Sequence, residues 1–161
     1  MNKLIIIFIT VVFVFITSFT VSAHMMGCGY GKLGHGMRGK MDRSMIRHHY
    51  AMRNGIGSEY SLMKNTLVKD EETLNSGKLL YDENCSSCHG SSGCGDGQEG
   101  KELDPRPAKI ANINKIPMAT DGYLFWTISE GGSPIQTAMP AFKNSLTDEE
   151  IWRIIIYLRD M

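Results

Sequence analysis

Downstream of residue 69, apolar positions repeat at a helical period in three places. Residues 70–84 (DEETLNSGKLLYDEN) carry Leu74, Gly77, Leu80 or Tyr81, and Asn84 at three- and four-residue intervals. Asp70, Glu71 and Glu72 put negative charge where a helix N-terminus favours it. Gly77 inside this period costs about 1 kcal/mol against alanine, which predicts that another element crosses closely there. Residues 121–130 (DGYLFWTISE) form a second period, with Leu124, Phe125 and Ile128 on one face, Trp126 flanking it, and Gly131-Gly132 as the stop. The third begins at Ser145. Thr147 with Glu150 makes a capping box, Ile151, Ile154, Ile155 and Leu158 mark one buried face, and Trp152, Ile156 and Tyr157 widen it. This helix is expected to cross the first near Gly77 and Tyr81. Between the periods lie a glycine loop (Gly90 to Gly97) and a stiff passage around Pro105 and Pro107, where each proline pushes its predecessor out of the helical region. The fold class is all-α.

The N-terminal part reads differently. After Met1-Asn2-Lys3, an apolar run from Leu4 to Val14 is broken only by Thr10 and continues to Val21. This marks a secretory signal or membrane anchor, residues 1–23, with Val21-Ser22-Ala23 as a cleavage site. Retention as an anchor stays open, because about 18 apolar residues just span a bilayer. So does a lipidated Cys28 behind the loose lipobox Met25-Met26-Gly27. Each option places the rest of the chain outside the cytoplasm.

Residues 24–69 read as a flexible basic arm, with a short helix near Met41 to Met52. His24 to Gly57 holds eight glycines, six methionines and four of the five histidines, with six Lys/Arg against one acid, Asp42. From Ser58 onward ten Lys/Arg face sixteen Asp/Glu, so a net charge of zero hides a basic arm and an acidic domain. The arm suits an anionic bilayer surface, a possible membrane tether. His24, Met25, Met26, His35, Met37, His48 and His49 also form a thioether and imidazole set of the kind that suits copper(I).

Cys85-Ser86-Ser87-Cys88-His89 carries the most specific chemistry, since C-x-x-C-H is an attachment signature for c-type haem. Two residues between the cysteines let one turn of backbone reach two porphyrin edges, and the adjacent histidine is carried under the iron. A zinc ribbon would need a second C-x-x-C or a His pair, and a redox C-x-x-C a βαβ context; neither is visible. The imidazole Nδ1–H needs an acceptor to fix tautomer and orientation, and the Pro107 carbonyl is the expected one. The other two cysteines, Cys28 and Cys94, are free to pair in an exported protein, or Cys28 to carry lipid and leave Cys94 a single thiol.

From about Thr73 to Met161 the chain resembles the mono-haem class I c-type cytochromes, of the bacterial type found alone or fused in respiratory enzymes. The resemblance rests on G-K-x-L-Y-x-x-x-C-x-x-C-H-G (Gly77 to Gly90), G-x-G-D-G (Gly93 to Gly97), P-x-P-A (Pro105 to Ala108), M-P-A-F (Met139 to Phe142) and S-L-T-D-E-E-I-W…Y-L-R (Ser145 to Arg159). Gln98 and Cys94 depart from the family pattern. The resemblance implies a class I cytochrome c fold over residues 70–161, a few helices around one covalent haem c. It implies thioethers at Cys85 and Cys88, His89 as proximal iron ligand and Met139 as distal ligand. The function implied is periplasmic one-electron transfer between respiratory-chain partners, a membrane donor and a terminal reductase or oxidase. No catalytic residue and no nucleic-acid partner are expected. Two other classes remain: a haem protein with an open or labile distal site, acting as peroxidase or small-ligand sensor, and a metal-handling protein using the Met/His arm.

Overall fold

The computed structural model describes Cys28, residues 46–111 and residues 113–161. In chain order the helices are α1 (Ile46–Asn54), α2 (Ser58–Ser61), α3 (Glu71–Asn84), α4 (Ser86–His89), α5 (Asp121–Glu130) and α6 (Asp148–Leu158). Single 3₁₀ turns at Gln98–Gly100, Ile113–Lys115 and Ser133–Ile135 punctuate the connections. No strand occurs among the described residues.

Local chemistry sets where the long helices begin and end. The Asp70 carboxylate accepts from the Thr73 N–H at 2.8 Å, while the Asp70 N–H donates back to the Thr73 hydroxyl at 3.0 Å. Thr147 and Glu150 make the same reciprocal cap on α6, with the Thr147 N–H 2.7 Å from a Glu150 carboxylate oxygen. A cap of this kind contributes about 1 kcal/mol. Thr120 caps α5 through the Tyr123 N–H, and α5 ends at Gly131, whose φ of +58° suits glycine.

The core is α6 laid across α3, with α5 beside them. Tyr81, Ile151, Ile154 and Ile155 are fully shielded from solvent, and Leu124, Phe125, Ile128 and Phe142 close over them. At the crossing, a Cβ on Gly77 would lie 2.1 Å from the Arg153 carbonyl oxygen and 3.1 Å from Tyr157 Cβ. The helix backbones therefore touch where the sequence places a glycine. One turn on, the rings of Tyr81 and Tyr157 pack with centroids 5.3 Å apart.

Residues 46–69, expected within a structureless arm apart from one short helix, pack against this unit. The Tyr60 hydroxyl donates to Glu130 at 2.6 Å. Asn65 donates its backbone N–H to Asp121 (3.0 Å) and its side-chain amide to the Trp152 carbonyl (2.9 Å). Lys69 pairs with Asp160. The Tyr60 carbonyl sits so close to α5 that a Cβ on Gly122 would be 1.9 Å from it. The segment is held by polar and aromatic anchors with almost no apolar period, so its sequence resembles a loop although its backbone is fixed.

Cys28 and Cys94 form a disulfide, Cα–Cα 5.4 Å, across 66 residues. This resolves the open cysteine pairing. It also overturns a lipidated Cys28, because a bonded sulfur has no thiol to carry a lipid. Residues 1–23 lie outside the described residues. Among the described residues no helix is long and apolar enough to cross a membrane.

Candidate haem-binding site

The C-x-x-C-H segment is one tight turn at the end of α3. The helix breaks at Cys85, whose φ and ψ of −123° and −36° leave the helical region. The chain then re-enters a single helical turn, α4, with the His89 N–H donating to the Cys85 carbonyl at 2.9 Å. Cys85 and Cys88 are both free thiols, partly buried, on the same turn. Burial, then the neighbouring Cys88, push the Cys85 thiol up to about 12. Gly90 follows with φ +78°, and its carbonyl accepts from the buried Tyr81 hydroxyl at 2.6 Å. Tyr81 therefore ties the turn back to the centre of α3.

The glycine loop grips this turn from outside. Gly95 N–H donates to the His89 carbonyl (2.8 Å) and Gly97 N–H to the Cys88 carbonyl (3.1 Å). A Cβ on Gly97 would lie 2.3 Å from the Ser87 carbonyl oxygen. The glycines that suggested a wrapping loop are needed for close backbone approach.

His89 Nδ1 lies 3.0 Å from the Ala108 carbonyl oxygen. The acceptor is thus one residue beyond the expected Pro107. The Pro107 carbonyl instead faces Gly95, where a Cβ would lie 2.5 Å from it. With Nδ1–H donating to Ala108, Nε2 keeps its lone pair. Burial lowers the His89 pKa, the Ala108 bond raises it, and the charge of Arg47 lowers it further; the net shift is downward and favours a neutral imidazole.

Met139 lies in the loop between α5 and α6, partly buried against the core. Its carbonyl accepts from the Gly132 N–H at 2.7 Å, and Phe142, three residues on, is buried with its N–H on the Ile128 carbonyl. The Met139 thioether is therefore carried by a loop pinned at both ends to α5.

Sequence reasoning missed Arg47. Arg47 from α1 places Nη2 3.8 Å from Met139 Sδ and 2.7 Å from the Gly131 carbonyl oxygen. Its guanidinium lies over the Trp126 ring, 5.2 Å from the centroid, and Tyr50 stacks on the same ring at 6.1 Å. Arg47 Nη1 is buried without a partner among the described residues. The only available signal was an arginine and a tyrosine three residues apart in a possible helix. Of the copper-ligand candidates, only His48 and His49 are described, with ring centroids 5.8 Å apart. No group of three or more His, Cys, Asp or Glu suited to a metal occurs among the described residues.

The donor set fits a haem. Two free thiols share one turn, an imidazole has its second nitrogen already committed, and a thioether lies in a pinned loop. A buried guanidinium N–H lacks an acceptor, and a haem brings carboxylates. An all-helical fold built around a C-x-x-C-H turn defines a c-type cytochrome. The chain belongs to the family described as cytochrome C oxidase, cbb3-type, subunit III, whose model matches residues 72–158. Its cofactor is covalently bound haem c.

A curated relative, the Cbb3-type cytochrome c oxidase subunit CcoP of Azospirillum brasilense, is 29% identical over 133 residues. Those residues make up 83% of this chain and 41% of the relative, so the chain spans about two fifths of that protein's length. Among solved structures, the reducing HAO-like protein complex of Kuenenia stuttgartiensis is similar at TM-score 0.50 and 28% identity, over 58% of this chain and 46% of that one. Cytochrome CL of Methylophaga aminisulfidivorans matches at TM-score 0.42 and 22% identity, over 83% of this chain and 72% of that one.

Proposed function

We propose that this protein carries single electrons on haem c on the periplasmic side of the membrane, with Cys85 and Cys88 as thioether sites and His89 and Met139 as axial ligands. The observation that carries the reading is the His89 ring, fixed through Nδ1 on the Ala108 carbonyl with Nε2 left free to bind. The haem supplies the one-electron couple. The chain supplies its setting: α4 holds the thiols and imidazole on one turn, Tyr81 and the glycine loop keep that turn rigid, and the pinned 136–142 loop presents a thioether. Neutral nitrogen and sulfur ligands suit both oxidation states, and methionine raises the potential. A fixed ligand set needs little rearrangement on electron transfer. The partners are a membrane electron donor and a terminal oxidase or reductase, in keeping with the oxidase-subunit relative. An acidic domain favours basic docking surfaces, with rates that fall as salt rises.

The second reading, an open distal site, gains one observation, a guanidinium beside Met139. Optical spectra of the haem-loaded protein, ferric and ferrous, with and without carbon monoxide, separate the two. The carrier reading expects low-spin spectra, a weak long-wavelength sulfur-to-iron band in the ferric state and no carbon monoxide shift. Met139→Ala should remove the band and admit carbon monoxide. A wild type that is high-spin or takes up carbon monoxide readily overturns the carrier reading in favour of the open site.

A further inference from the structure

We infer that Arg47 is a positioning residue for the haem iron: α1 delivers a half-buried cation to the distal ligand, and that cation holds Met139 and raises the reduction potential. The inference rests on the His89/Met139 reading above and adds to it a residue outside the matched segment, which begins at residue 72.

Three contacts fix the guanidinium. Nη2 donates to the Gly131 carbonyl at 2.7 Å and lies 3.8 Å from Met139 Sδ. The plane lies over Trp126, whose side chain is buried, and Tyr50 stacks on that indole nearly parallel, at 9°. Arg47 and Tyr50, one helical turn apart, therefore clamp the same ring from α1. The Gly131 carbonyl is itself a helix-end group, left over by α5 and suited to a cation.

A half-buried cation acts more strongly on a nearby change of charge than an exposed one, because the effective dielectric is lower. Ferric iron carries one more positive charge than ferrous. Arg47 therefore disfavours the ferric state and shifts the couple toward reduction. Methionine sulfur has two lone pairs, so an N–H on one leaves the other for iron. Arginine suits the task because it stays charged when buried and stacks on aromatic faces.

The test uses full-length, haem-loaded protein as wild type, Arg47→Lys and Arg47→Gln. Each is titrated spectroelectrochemically at neutral pH, with the ferric sulfur-to-iron band and the thermal midpoint recorded alongside. Arg47→Gln should shift the one-electron equilibrium tenfold or more toward ferric, about 59 mV for a one-electron couple. Arg47→Lys, which keeps the charge, should recover at least half of that. If Arg47→Gln does not fold, Arg47→Leu replaces it, with the same shift expected. A potential within threefold of wild type in the neutral variant, with the band intact and only the thermal midpoint lowered, makes Arg47 a packing residue and overturns the inference. A wild type without the band overturns the ligand assignment itself and the inference with it, a result distinguishable from the first.

Discussion

Replacing Gly77 with alanine adds one methyl group where α3 and α6 meet. An ideal Cβ at that position stands 2.1 Å from the Arg153 carbonyl oxygen, against 3.4–4 Å for ordinary contact. The obstructing atom is backbone, so no rotamer relieves the overlap. The helices must separate by more than an ångström, which opens the seal around Tyr81, Ile151 and Ile154, all fully buried. Two effects compete. Alanine gains about 1 kcal/mol of helix propensity over glycine, and overpacking costs about 1–3 kcal/mol, occasionally more. A backbone clash belongs at the upper end, so the net loss is about 2 kcal/mol. For a domain of this size that lowers the melting temperature by roughly 8–16 °C. The assay is guanidinium and thermal unfolding of the ferric, haem-loaded protein followed by far-UV circular dichroism. Asn75→Ala, exposed on the same helix, serves as control and should be neutral or slightly stabilising. A Gly77→Ala protein as stable as wild type would refute the close crossing.

Other consequences of the fold are equally direct. Tyr81→Phe removes the 2.6 Å bond to the Gly90 carbonyl; because that carbonyl also accepts from Gly93 N–H, the cost should be about 1 kcal/mol in chemical denaturation. Cys94→Ser opens the 66-residue loop closed by the disulfide and should cost about 2–4 kcal/mol by the same measurement under non-reducing conditions, whereas equal stability with and without reductant in wild type would argue against the bridge. The Lys143 and Tyr60 hydrogen bonds hold the Glu130 pKa below 4.5. A depressed folded-state pKa gives stability that is present above pH 4.5 and lost as pH falls through the folded value. Glu130→Gln should therefore flatten the decline of the urea midpoint below pH 4.5, and an unchanged slope would remove Glu130 from the acid response.

Much of this architecture was legible in the residue pattern, because the long helices are specified locally. Thr147 and Glu150 cap α6 as their spacing predicts, α5 spans the periodic run up to Gly131, and Gly77 marks the crossing it implied. The pattern failed where distant backbone decides. The acceptor for His89 is Ala108 rather than Pro107, a matter of which carbonyl the 103–108 passage turns inward once Gly95 occupies the other. The docking of residues 46–69 was hidden because Arg47, Tyr50, Tyr60 and Asn65 bind through scattered polar and aromatic contacts that leave no hydrophobic period. Arg47 was invisible for the same reason: its partners Gly131 and Met139 lie more than eighty residues away.

The bond between Cys28 and Cys94 also sorts the sulfur chemistry of the chain. Four cysteines permit three complete pairings, and all three consume the thiols proposed to receive the haem; only the single bridge Cys28–Cys94 spares both. Outside the C-x-x-C pair itself, the nearest competitor for Cys88 is Cys94, six positions downstream in a loop that already hydrogen-bonds to its turn, and short loops close at small entropic cost. Pairing Cys94 with a residue far upstream takes that competitor away and leaves Cys85 and Cys88 as the free pair. If haem joins Cys85 and Cys88 as proposed, Cys28 serves as an intramolecular protecting group against Cys94. In an oxidising compartment, the order in which the two sulfur reactions occur decides whether the chain matures as a cytochrome or is trapped as a misbridged apoprotein.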